Sequence, residues 1–261
     1  MNSTSMQEFM GWFKWALAAI LLLIVAALVF YSIYDFKKRK GNLVKFIAIT
    51  GVFGAISSIL YCVKIFTFEL PFLPPFMSVH LDEIPIFIVG FAYGPLPAIM
   101  VTLVKTIIKL PMTSTACVGE IGDFFMTLFF VLPSVILYQK RRKLSSVFIG
   151  FGISTVTQIT SAVLLNIFVL VPFYEFFYGM DDAALLSVCQ KVNPAIQDLG
   201  WTYSLFAVLP LNAIKDSIVL VVVFFVYKAL HKYLRLSWKK EKIVEEVEEE
   251  NKEPSIETKT D

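Results

Sequence analysis

Long apolar runs separated by short polar breaks set the pattern of this chain. Runs at residues 12–34, 43–68, 118–138, 146–171 and 201–230 each reach the roughly 20 residues that a bilayer-spanning helix requires. The run 84–110 is long enough for one helix, but Gly94-Pro95-Leu96-Pro97 interrupts it, and proline removes a backbone donor and restricts the residue before it. Basic residues decide how that segment is counted. They cluster at Lys37-Lys38-Arg39-Lys40, at Lys140-Arg141-Arg142-Lys143 and within 231–240, and the positive-inside rule places all three on the cytoplasmic side. Between the first two clusters the chain must cross an even number of times. The spans 43–68 and 118–138 account for two crossings, so the middle segment is expected to be a hairpin of two short helices, 82–93 and 95–110. The pattern therefore predicts seven membrane helices, an outside N-terminus, a cytoplasmic C-terminus, and outer loops at 69–81, 111–119 and 172–200.

Composition agrees: 57% hydrophobic and 17% charged residues with a mean hydropathy of +0.72 describe an all-α integral membrane protein. Three segments are expected. Residues 1–40 hold a signal-anchor-like helix and a basic linker; the apolar stretch is too long for a signal-peptide core and lacks a small-residue cleavage motif. Residues 41–238 form the membrane domain. Residues 239–261 form a tail in which nine acids from Glu241 onward face three lysines, a composition expected to stay disordered. The three cysteines, Cys62, Cys117 and Cys189, have neither disulfide-framework nor metal-site spacing. There is no glycine-rich phosphate loop, no nucleophile elbow and no histidine pair at helical spacing, the histidines being His80 and His231. Self-contained ATP hydrolysis and enzymatic activity are not expected.

The candidate chemistry lies in the last span, where Leu209-Pro210-Leu211-Asn212-Ala213-Ile214-Lys215-Asp216 places an amide, an ammonium and a carboxylate in an apolar helix. A charge near the bilayer centre costs roughly 2.5–3.5 kcal/mol, so such groups face a protein interior and pair or bind there. Asn212 and Lys215 are three residues apart and share a helical face. Asn166 near the outer end of its helix, with Glu120 and Asp123 at the start of theirs, extends the polar set into one pocket on the outer half. Interrupted helices are stable at membrane depth only where they line protein or a cavity.

A family resemblance now follows from particular stretches. Leu70-Pro71-Phe72-Leu73-Pro74-Pro75-Phe76, Leu81-Asp82-Glu83-Ile84-Pro85, Gly90-Phe91-Ala92-Tyr93-Gly94-Pro95, Thr113-Ser114-Thr115-Ala116-Cys117-Val118-Gly119-Glu120, and Asn166 with Asn212-Ala213-Ile214-Lys215 together resemble the substrate-capture (S) component of energy-coupling-factor (ECF) vitamin transporters, riboflavin branch, over residues 43–232. The resemblance implies a six-helix core, to which the N-terminal helix is an addition, in a bacterial plasma membrane. It implies riboflavin as cargo, no cofactor, and partnership with a transmembrane coupling protein and two cytoplasmic ATPases. By the same resemblance Asn166, Asn212 and Lys215 hydrogen-bond the flavin. Phe72, Leu73, Phe76 and Met77 of the first outer loop are expected to wall and gate it, Glu120 to join the substrate site, and Thr115 before it either to form a helix entry or to bind the ribityl hydroxyls. Ala48, Gly51 and Ala55 stand where the family meets its coupling protein, although the motif is not a clean Ala-xxx-Ala. Another vitamin or a nucleobase-like ligand on the same fold stays open, as does a non-transporting scaffold or sensor.

Other polar residues have structural readings. Asp82 and Glu83 open a helix, where carboxylates meet the positive dipole end, so capping is expected beside ligand contact. Lys105 and Asp123 are expected to form a buried ion pair.

Overall fold

In the computed structural model the described residues are 3–38, 42–74, 77–113, 117–173 and 182–250, with side chains described for all of these except 3–18, 21, 182 and 230–250. The long helices are α1 (Ser3–Lys38), α2 (Leu43–Cys62), α3 (Glu83–Tyr93), α4 (Pro95–Lys109), α5 (Val118–Arg141), α6 (Leu144–Leu165), α7 (Asp182–Val192) and α8 (Leu209–Glu250). Among the described residues, five stretches are long and apolar enough to cross a membrane: Leu43–Cys62, Pro95–Met112, Val118–Arg141, Leu144–Phe173 and Trp201–Ala229. The expected first span, 12–34, lies inside α1.

Local chemistry sets the boundaries. Asn42 caps α2 by accepting from the Lys45 backbone N–H at 3.1 Å. The expected break between α3 and α4 falls at Gly94, whose φ of 104° is open to glycine, with Pro95 starting the next helix. Gln139 on α5 donates to the Gly90 and Phe91 carbonyls at 2.9 Å each, giving acceptors at the broken end a partner. The expected span 43–68 stops earlier, at Cys62. Val63 turns extended, a short 3₁₀ turn follows at Lys64–Phe66, and β1 (Phe68–Glu69) pairs antiparallel with β2 (Ser78–Val79) across the first outer loop. Two helices carry π turns: Asn166–Leu170 continues α6, and Ser204–Val208 leads into α8 after a single turn at Trp201–Tyr203.

The chain divides into two compact units, Met1–Val223 and Phe224–Asp261. In the first, α3 is the buried centre: Ile86, Phe87 and Val89 are fully enclosed. Phe87 meets Phe130 edge-on with ring centroids 5.0 Å apart, and Phe91 lies 4.9 Å from Tyr138. Gly90 lets α3 approach α5, since an added Cβ would come 2.4 Å from a Val135 methyl. The N-terminal helix packs on this body through Val25, which is buried with Ile99, Leu128, Phe129 and Leu132. In the second unit α8 runs on to Glu250, so helix extends into the acidic stretch 239–261; its Glu and Lys residues are good helix formers. Residues 251–261 lie outside the described ones.

Candidate functional site

Three interior helices converge on the polar face of α8. Lys215, 7% exposed, donates to Glu83 Oε1 at 2.6 Å and lies 5.9 Å from the centroid of the Phe130 ring. An ammonium has three N–H donors, so this bond leaves two for other acceptors. One helical turn back, Asn212 donates from Nδ2 to the Val208 carbonyl at 2.7 Å and accepts from Gln158 Nε2 on α6 at 2.7 Å. Asn166 donates to the Ala162 carbonyl at 2.8 Å and opens a π turn. Both π turns thus adjoin residues expected to bind ligand, where the extra residue in the turn re-aims side chains. Asp216 beside Lys215 is buried, and neither carboxylate oxygen has a hydrogen-bond partner.

A second polar group lies alongside. Lys105 on α4 is fully buried and donates to Asp82, to Asp123 Oδ2 at 2.9 Å and to Thr127 at 3.1 Å, beneath the Tyr61 ring at 4.7 Å. The expected Lys105–Asp123 pair is present. The capping role expected of Asp82 and Glu83 is corrected: Asp82 makes no side-chain cap bond, and each carboxylate reaches a buried lysine instead. The physical reason is desolvation, because a lysine in the membrane interior gains far more from a carboxylate than a helix end does. Glu120 accepts from Thr113 Oγ1 at 2.8 Å, a hydroxyl that also accepts from the Cys117 N–H at 3.0 Å.

The loop between α2 and α3 packs its apolar residues inward. Leu73 and Met77 are 3% and 9% exposed, packed with Ala162, Ile196, Tyr203 and Val208, and Tyr203 donates to the Met77 sulfur at 3.6 Å. Phe72 is instead 46% exposed. Phe76 and Thr115 lie outside the described residues. Ala48, Gly51 and Ala55 are exposed together on α2, away from the polar groups. Sequence reasoning missed Gln158, although it stands two turns before Asn166 on the same face of α6, a polar position in an apolar run.

His80 lies between β2 and α3. Its ring is 3.0 Å from Ser78 Oγ and edge-on to Tyr61, with centroids 5.0 Å apart. Burial lowers its pKa from 6.5 to about 4, against the opposing pull of Asp123 and Glu83. The folded protein therefore takes up this proton later than the unfolded chain as pH falls. Its stability is full above about pH 6.5 and declines from there toward pH 4. Melting temperatures measured across that window are expected to fall for the wild type and to fall less for His80→Gln; identical profiles would contradict the assignment.

A helical membrane body with a buried donor-rich patch beneath a loop defines a solute-binding membrane component. Residues 45–227 match the family described as ECF transporter, substrate-specific component. The match spans most of the chain, and the chain belongs to that family. Among similar proteins, the riboflavin transporter RibU of Staphylococcus aureus (strain TCH60) is 26% identical over 180 residues, covering 69% of this chain and 88% of that protein. The riboflavin transporter FmnP of Bacillus subtilis (strain 168) is 23% identical over 187 residues, covering 70% and 92%. The fold is similar to that of the S component of a bacterial ECF transporter, with a TM-score of 0.57 at 24% identity, covering 74% of this chain and 99% of that one. The resemblance drawn from the sequence is thereby borne out at the level of family and fold.

Proposed function

We propose that this chain captures riboflavin at the outer side of a bacterial plasma membrane and hands it to an ECF complex. The observation that carries the reading is the buried Asn212–Lys215 face of α8, in a chain similar to riboflavin transporters. A flavin's pyrimidine edge alternates carbonyl acceptors with one N–H. The two free N–H groups of Lys215, with Asn212 and Asn166, suit the carbonyls, while the tricyclic body suits Phe72, Leu73, Phe76 and Met77. In this reading Thr115 and Glu120 serve the ribityl hydroxyls. Glu83 holds the lysine in place rather than competing with the ligand.

The partners are a transmembrane coupling protein and two cytoplasmic ATPases, met through Ala48, Gly51 and Ala55. The basic clusters put the N-terminus outside and the C-terminus in the cytoplasm. The protein binds its cargo alone and transforms nothing.

Riboflavin titration of the purified chain, followed by quenching of flavin fluorescence, tests the site. Asn212→Ala is expected to weaken binding roughly tenfold to a hundredfold, because a buried ligand group left unpaired costs about 1–3 kcal/mol. Lys215→Met belongs in a Glu83→Gln background, which avoids stranding a buried carboxylate, and should lose as much. Wild-type affinity in both variants would refute the site. Mass spectrometry of co-purified ligand identifies the cargo independently.

A further inference from the structure

Two side-chain amides inside the membrane body, Gln158 on α6 and Asn212 on α8, fix each other's orientation. The ends of an amide differ in chemistry: the nitrogen only donates and the oxygen only accepts. The Val208 carbonyl can only accept, so the end of Asn212 that faces it at 2.7 Å is Nδ2. Asn212 Oδ1 then points to Gln158, and the group that meets it at 2.7 Å must be the Gln158 nitrogen. The free end of Gln158 is therefore its oxygen. Gln158 is fully buried, and Oε1 has no hydrogen-bond partner among the described residues. A buried acceptor without a donor is costly and calls for a physical explanation, and the lipid around these helices offers no donor.

Its place supplies the explanation. Gln158 is bonded to Asn212, one turn from Lys215 on the same face of α8, and Lys215 spends one of its three N–H groups on Glu83. Donors for two carbonyls and one oriented neutral acceptor thus stand side by side, which is the complement of a cyclic imide with the order C=O, N–H, C=O. We infer that Gln158 is a ligand-contacting specificity residue whose Oε1 accepts the imide N–H of the bound heterocycle while its Nε2 orients Asn212. The inference rests on the flavin reading above. Glu83 Oε2 is also buried without a partner, but its carboxylate is already committed to the lysine charge. Gln158 reads the N–H without altering the charge of the site.

The experiment compares riboflavin with N3-methylriboflavin, in which the imide N–H is replaced, each titrated into purified full-length protein. Wild type is expected to bind the methylated ligand roughly tenfold to a hundredfold more weakly, since Oε1 stays unpaired. Gln158→Met keeps the side-chain length and removes the acceptor. It is expected to bind riboflavin at least tenfold more weakly and to lose much less affinity for the methylated ligand, the part owed to orienting Asn212, so discrimination collapses. A variant that weakens both ligands equally makes Gln158 merely structural and overturns the inference. A variant that keeps wild-type discrimination places the N–H on Glu83 and does the same. Should Gln158→Met fail to fold, the wild type still decides: equal affinity for both ligands overturns the inference. A wild-type chain that binds neither flavin overturns the flavin reading itself.

Discussion

Lys105→Met is expected to cost this protein its stable fold. The ammonium lies between Asp82 and Asp123, donates also to Thr127, and is fully enclosed. Methionine fills the same volume but leaves two carboxylates in a low-dielectric interior with no cation between them. Breaking a buried pair from one side costs about 3–5 kcal/mol, a large share of a net stability of about 5–15 kcal/mol. On the usual scale for a chain of this size that corresponds to a melting temperature lower by about 6–20 °C, measured in detergent on the purified protein. Removing the stranded charges should reverse the loss in steps. Lys105→Met with Asp82→Asn is expected to regain part of it, and addition of Asp123→Asn most of the rest. A single variant that melts with the wild type would show that the cluster carries no net charge to balance, and the assignment of Lys105 as its keystone would fall.

That cluster also shows where sequence reasoning stops. The membrane spans are legible because a bilayer demands long apolar runs, and the break at Gly94 because proline and glycine leave few alternatives. Lys105 with Asp123 is legible because a lone lysine in an apolar helix needs an acid nearby. The choices of Asp82 and Glu83 are not legible. Their position at a helix start suggests a local role, whereas their partners lie 23 and 132 residues away and are selected only by the packing of α3 against α4 and α8. The π turns at Asn166–Leu170 and Ser204–Val208 have no clear residue signature, since they come from one extra residue in a turn that neighbouring helices accommodate. They adjoin Asn166 and Asn212, so candidate residues could be named from the sequence while the local backbone around them could not. Helix α7 escaped because an 11-residue polar-apolar segment between two spans is too short to register as a span.

Gly51→Leu is expected to abolish most vitamin uptake while leaving binding intact. The two glycines of α2 have different surroundings. A Cβ on Gly54 would come 2.8 Å from a Val104 methyl, so that side is sealed against α4. A Cβ on Gly51 meets nothing within 4 Å, and Ala48 and Ala55 beside it are exposed. Small residues at near four-residue spacing let another helix approach closely, and a leucine there holds it off. Because a Cβ at Gly51 meets open space, the substitution should not disturb the fold beyond a change in helix propensity. Riboflavin titration should therefore match the wild type, while uptake in proteoliposomes that contain the coupling protein and ATPases falls at least tenfold. Gly54→Leu is the contrasting control, expected to lose folding and binding together. Full uptake by Gly51→Leu would remove α2 from the coupling interface, and concentrative uptake by the chain alone, without ATP, would point instead to an ion-coupled carrier.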